Sequence, residues 1–193
     1  MRIRVFGAAS STIDPEYIRQ VEALGREMVA RGHSLVFGAG AHGLMGAVAR
    51  GVREAGGYIL GVVPKFFDDA NVEELCDFCD ELIRPDTMRQ RKQIMEDNCD
   101  AFIVTPGGIG TFEEYFEILT SKQLCQHNKP IGIFNIKGYY NEMEQMMEAA
   151  IQKNFIRGNC RDLYRITADP DALLSYIETP VQTNYTVRDL KDG

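Results

Sequence analysis

The chain has 193 residues, 45% hydrophobic and 25% charged, with a net charge of −7, a length that fits one domain able to bury a core without covalent staples. The negative charge excludes a general nucleic-acid binder, which needs a basic face to displace counterions from phosphates, and no apolar run approaches the length that spans a membrane. Five cysteines (Cys76, Cys79, Cys99, Cys125 and Cys160) form an odd set behind an N-terminus that reads as strand rather than signal peptide, so a reducing cytoplasm is the expected compartment.

Ile3 to Phe6 reads as a short apolar strand ending in Gly7-Ala8-Ala9-Ser10-Ser11. Asp14 caps a helix with Pro15 at its first position; Ile18, Val21, Leu24, Met28 and Val29 recur at helical spacing to about Arg31, and Gly32 ends it. Ser34 to Phe37 is a second strand, followed by a turn from Gly38 to Gly46 and a helix to about Ala55. The turn formally matches GxGxxG. The next strand, Tyr58 to Val63, ends in Pro64-Lys65 where a dinucleotide fold wants an acidic residue for the ribose, so a tight turn beside a smaller ligand is the better reading. His42 in this turn reads as either solvated or a ligand contact. Cys76-Asp77-Phe78-Cys79 is a lone CxxC, and with His33, His42 and His127 scattered singly no metal site is expected.

From Lys65 to Asp80 periodicity dissolves into an acidic, aromatic stretch that suits a lid, a substrate-facing loop or a surface connection. Glu81 to Arg84 reads as a short strand, and Pro85-Asp86-Thr87 punctuates the next helix. On that helix Met88, Arg91, Lys92 and Met95 share one side; cations placed there either meet an anion or run their stems over apolar surface to solvent. Ala101 to Thr105 is a strand, and a glycine turn leads into a helix from Thr111 to about Cys125. Gly107, Gly108 and Gly110 let backbone approach a ligand closely, and the unpartnered N–H groups of a helix start attract phosphate. Thr111 and Glu114 also fit a capping box, which would make both structural.

Along the same helix Phe112, Tyr115, Phe116 and Leu119 form a stripe, with Ile118 and Leu124 off it. Either a second subunit or the domain itself covers the extra face. Lys129 to Asn135 is a strand, a helix begins at Gly138, Leu163 to Thr167 is a last strand, and Asp169-Pro170 opens a last helix. Residues 1–178 form one domain and 179–193 a peripheral tail. Regular alternation predicts a single-domain α/β fold, a Rossmann-like doubly wound parallel sheet, with the turns at Gly7, Gly38 and Pro106 converging beyond the carboxyl ends of the strands.

Met88-Arg89-Gln90-Arg91-Lys92 completes an MxxRK motif and Pro106 to Glu114 completes PGGxGTxxE. With Gly43-Leu44-Met45-Gly46, Val63-Pro64-Lys65, Lys129-Pro130 and Gly138 to Asn141, the chain resembles the LOG (Lonely guy) family of cytokinin riboside 5′-monophosphate phosphoribohydrolases, often labelled lysine decarboxylases. It departs from the family at Ala39, where the turn usually reads GGG, at Gly7-Ala8-Ala9-Ser10, where the start usually resembles CGSS, and through residues 66–87. The first two replace small residues with small ones.

The resemblance implies hydrolysis of the N-glycosidic bond of an adenosine 5′-monophosphate, ideally N6-prenylated, by a homodimer needing no metal or organic cofactor. Its partner is a nucleoside 5′-monophosphate, with no nucleic acid or membrane involved. Arg91 and Glu114 match the family's catalytic pair. Gly107, Gly108, Gly110 and Thr111 would hold the phosphate, Ser10 would face it, and Met88 and Lys92 would line the nucleotide site. Glu73 and Thr120 are placed only by spacing from the two motifs. The rival is a nucleotide- or molybdenum-cofactor-binding carrier, which does not need Arg91 and Glu114 together. A pyridoxal-phosphate decarboxylase would want a lysine in a Schiff-base setting, and none is evident.

Overall fold

Apolar runs without polar alternation belong in the middle of a parallel sheet, where helices cover both faces. The computed structural model, which describes residues 1–67, 74–180 and 184–191, follows that rule. Its strands are β1 (Arg2–Phe6), β2 (Ser34–Phe37), β3 (Ile59–Val62), β4 (Glu81–Ile83), β5 (Ala101–Val104), β6 (Ile131–Phe134) and β7 (Arg165–Thr167). The helices are α1 (Pro15–Ala30), α2 (Gly43–Glu54), α3 (Met88–Asp97), α4 (Ile109–Gln123), α5 (Asn141–Gln152), α6 (Pro170–Glu178) and α7 (Val187–Leu190). Every residue of β3, β5 and β6 is buried.

The strands form one parallel sheet in the order β4-β3-β2-β1-β5-β6-β7. Successive strands run outward from β1 to one edge, and the chain then returns to β5 and runs to the other. That reversal makes the β1/β5 boundary the switch point. Alternate residues divide the core: Ile3, Val5, Leu35 and Ile103 pack under α1, α2 and α6, whereas Phe6, Val36, Phe102 and Val104 pack under α3, α4 and α5.

Local chemistry sets the helix starts. The Asp14 carboxylate accepts from the Glu16 N–H at 2.9 Å with Pro15 at the first helical position. Thr87 and Gln90 close a capping box at α3. Of the tail, the described residues 184–191 pack back on the domain around Leu190. Leu190 is buried, and its carbonyl accepts from Gln123 Nε2 at 3.1 Å and from the Cys160 thiol at 3.3 Å.

The core carries one electrostatic liability on α4. Lys122 is 6% exposed and has no ion-pair or hydrogen-bond partner among the described residues. Burial pushes its ammonium down to about 8 from the ordinary 10.5. Between those two values the unfolded chain holds a proton that the folded chain has released, so stability rises with pH across that window. Lys122→Met is expected to raise unfolding free energy at pH 7 by about 1–3 kcal/mol and to flatten its rise above pH 8. Urea melts at pH 7 and pH 9.5 read both effects.

Candidate active site

At the switch point three strand-end turns are tied together by backbone. The Ala8 N–H donates to the Pro106 carbonyl at 2.9 Å, and the Leu44 N–H donates to the Ala8 carbonyl at 2.8 Å. Between the turns lies a cavity of about 290 Å³, walled by Gly38, Arg91, Gly108, Thr111 and Glu114, with Arg4 of β1 also on its lining. The convergence expected of the turns at Gly7, Gly38 and Pro106 is present.

The N-terminus of α4 opens on this cavity. Gly108 is its N-cap in an extended conformation and supplies no side-chain cap, so first-turn N–H groups remain available to an anion. The helix begins at Ile109, two residues earlier than expected, which overturns the capping-box reading. Thr111 is the third helical residue rather than the cap, and its buried side chain lies over Gly107. Glu114, beyond the first turn, cannot reach back to the cap. Its Oε1 instead accepts from Arg4 Nη2 at 2.8 Å.

Arg91 reaches in from α3. Its Nε donates to the Val62 carbonyl at 3.0 Å and its Nη2 to the Gly38 carbonyl at 3.1 Å, with the guanidinium carbon 5.6 Å from the Phe67 ring centre. The chain thus gives Arg91 a fixed seat across the ends of β2 and β3. A Cβ at Gly38 would lie 1.9 Å from Arg91 Nη2, so this seat exists because residue 38 is glycine.

Other expected site residues are placed differently. Lys92 pairs with Glu113 at 2.6 Å and Glu117 at 3.0 Å and lies off the cavity lining. Two acidic residues one turn apart on α4 draw it along the helix surface. Met88 is exposed beside Arg91, while Met95 lines the cavity. Ser10 shares its hydroxyl with Thr12 at 2.9 Å and, together with Gly107, borders a neighbouring cavity of about 330 Å³ that has Ala8 and Gly108 in common with the first. Thr120 lies in a separate groove near the far end of α4. Glu73 falls outside the described residues. His42 pairs with exposed Glu74 at 2.8 Å rather than lining the cavity.

The family model described as "Possible lysine decarboxylase" matches residues 45–177. A cytokinin riboside 5′-monophosphate phosphoribohydrolase of Arabidopsis thaliana is 39% identical over 171 residues, covering 89% of this chain and 77% of its own length. A second from the same plant is 36% identical over 177 residues, covering 92% of this chain and 82% of its own length. The chain belongs to the LOG family. Membership places it among the N-glycosyl hydrolases. Among solved structures, a molybdenum cofactor carrier protein from Chlamydomonas reinhardtii matches with a TM-score of 0.69 at 20% identity, over 92% of this chain and 95% of that one. The molybdenum cofactor binding protein of Rippkaea orientalis matches with a TM-score of 0.68 at 18% identity, over 94% and 96%. Identities that low speak to the fold alone.

Two features of this LOG-family chain escaped its sequence. Ala39, a small-for-small departure, takes φ 63°, the left-handed region that a Cβ disfavours by roughly 1–2 kcal/mol. Its carbonyl accepts from the Cys76 N–H at 2.8 Å and the N–H of Ala41, two residues on, donates to the Glu74 carbonyl at 2.9 Å, which holds the turn in place. Arg4 is the other. The available hint was a single charge inside an otherwise apolar strand, Ile3-Arg4-Val5-Phe6.

Gly38→Ala is expected to leave the fold intact and displace the guanidinium, because the clash falls on the far end of a flexible side chain. The readout is a melting temperature within about 4 °C of the native chain, together with loss of the Arg91–Gly38 contact in a crystal structure of the variant. A collapse in stability would show that the turn, not Arg91, absorbs the clash.

Proposed function

We propose that this LOG-family chain hydrolyses the N-glycosidic bond of adenosine 5′-monophosphates, with N6-prenylated AMP as the preferred class, releasing free base and ribose 5-phosphate. The observation that carries the reading is that Arg91 and Glu114, one from each family motif and on different helices, line a single cavity beside the open N-terminus of α4. The relatives named for this reaction support the substrate class.

In this reading the phosphate sits on the N–H groups from Gly108 to Thr111, where the helix dipole favours negative charge. That anchor directs the ribose toward Glu114. As the bond from C1′ to the base breaks, its electron pair leaves with the base nitrogen and the sugar acquires oxocarbenium character. The Glu114 carboxylate stabilises that charge and takes a proton from the incoming water as its oxygen bonds C1′, and that proton is then given up to the departed base through solvent, which restores the carboxylate. Arg91, held by two carbonyls, orients the nucleotide with a planar fork of donors. The described lining of the cavity carries no lysine, and Lys92 is engaged with two carboxylates, so this reading assigns no Schiff-base role to it.

Incubation with AMP and N6-isopentenyl-AMP is expected to release base and ribose 5-phosphate, and Glu114→Gln to lower kcat by about 100-fold or more while nucleotide still binds. Tight binding across a panel of nucleoside monophosphates with no turnover would favour a carrier. Native turnover in Glu114→Gln would remove the carboxylate from the chemistry.

The working unit in this proposal is a cytoplasmic homodimer. Phe155 is 82% exposed at a groove of about 410 Å³ whose walls include Phe116, Leu119, Met147 and Ile156, and the outer face of α4 contributes to it. Burying that face against a second copy would remove large apolar side chains from water. Sedimentation equilibrium is expected to give twice the chain mass, reduced to the chain mass in Phe155→Asp. A native chain that sediments as monomer at every concentration contradicts the dimer.

A further inference from the structure

Arg4 heads the fully buried side chains by volume, at 1% exposure, and it sits in the middle of the sheet. Its register neighbours are Val36 on β2 and Phe102 on β5, so neither adjacent strand offers it an acceptor side chain at that level. Among the described residues the Nε has no hydrogen-bond partner, and the guanidinium's one ion pair is to Glu114 at 2.8 Å. Such an arrangement is a poor stabilising device, because burying a guanidinium costs more than one monodentate pair returns, and an apolar residue of similar volume would pack there at no electrostatic penalty. The position is also on the lining of the cavity that holds Arg91 and the α4 N-terminus.

We propose that Arg4 is the positioning residue for Glu114. It pins Oε1 from beneath, while Oε2, for which the described residues supply no partner, is left to the substrate. Depth separates the two roles: Arg4 is 1% exposed and the Glu114 side chain 20%, so the cation lies below the carboxylate. A guanidinium touching the sugar would oppose the positive charge that develops there, whereas one fixed behind the carboxylate holds it aimed before substrate arrives. Misplacing a catalytic group by about 1 Å costs on the order of 100-fold in rate, and this is the loss Arg4 prevents. The inference rests on the reading of Glu114 as the catalytic carboxylate.

The test compares kcat and KM of the native chain, Arg4→Met, Arg4→Lys and Glu114→Gln on N6-isopentenyl-AMP, with melting temperatures alongside. Arg4→Met is expected to lower kcat about 10- to 100-fold with KM within about threefold and no loss of melting temperature, and Arg4→Lys, which restores a cation of different shape, to recover part of the lost kcat. Native kcat in Arg4→Met beside an inactive Glu114→Gln overturns the role of Arg4 and leaves Glu114 standing. An active Glu114→Gln overturns the reading beneath it. If kcat, KM and melting temperature all fall together in Arg4→Met and lysine restores nothing, Arg4 is structural only and the proposal fails. Should Arg4→Met not fold, Arg4→Gln, a neutral donor of shorter reach, is judged by the same separation of kcat from KM.

Discussion

The reversal of strand order between β1 and β5 is the constraint on which the site depends. Neighbouring connections leave in opposite directions there, so the carboxyl ends of these two strands open a crevice. Into that gap the fold delivers one strand-end turn from β1, another from β2, the open N-terminus of α4 and an arginine from α3. The cavity is therefore a product of topology first and of side chains second. What the side chains add is charge of both signs, with Arg4, Arg91 and Glu114 on one lining and Arg4 paired to the Glu114 carboxylate.

The site is asymmetric in how it holds its charged groups. Arg91 is anchored by backbone carbonyls of two strand ends. Glu114 is anchored by one buried cation, and the balance of charge in the floor of the cavity changes whenever either member changes. Preorganisation of this kind matters for a reaction whose transition state is mainly a redistribution of charge on a sugar ring. In the proposed reaction the ion pair and the unsatisfied Nε are a cost carried for chemistry rather than a source of stability.

Much of the fold was legible in the sequence because its central strands are largely apolar and some of its helices announce themselves by caps. Asp14-Pro15, Ser34 to Phe37 and Asp169-Pro170 all mark elements close to where they lie. The least legible points were set by tertiary contacts. Spacing alone could not distinguish Thr111 as a cap from Thr111 as the third residue of a helix whose true cap is Gly108. Nor could helical periodicity tell that Lys92 would turn toward Glu113 and Glu117 while its neighbour Arg91 turned toward the strand ends. Arg4 was hidden for the opposite reason. Its partner lies 110 residues away, and only the closed sheet brings the two together.

The most direct measurement is a crystal structure of Glu114→Gln soaked with AMP. The nucleotide phosphate is expected on the N–H groups of Gly108 to Thr111, with C1′ of the ribose beside the residue 114 side chain and the Arg91 guanidinium in contact with the ligand. A nucleotide found in the groove lined by Phe116 and Phe155, or one whose ribose faces away from residue 114, would contradict the assignment of this cavity as the site of glycosidic cleavage.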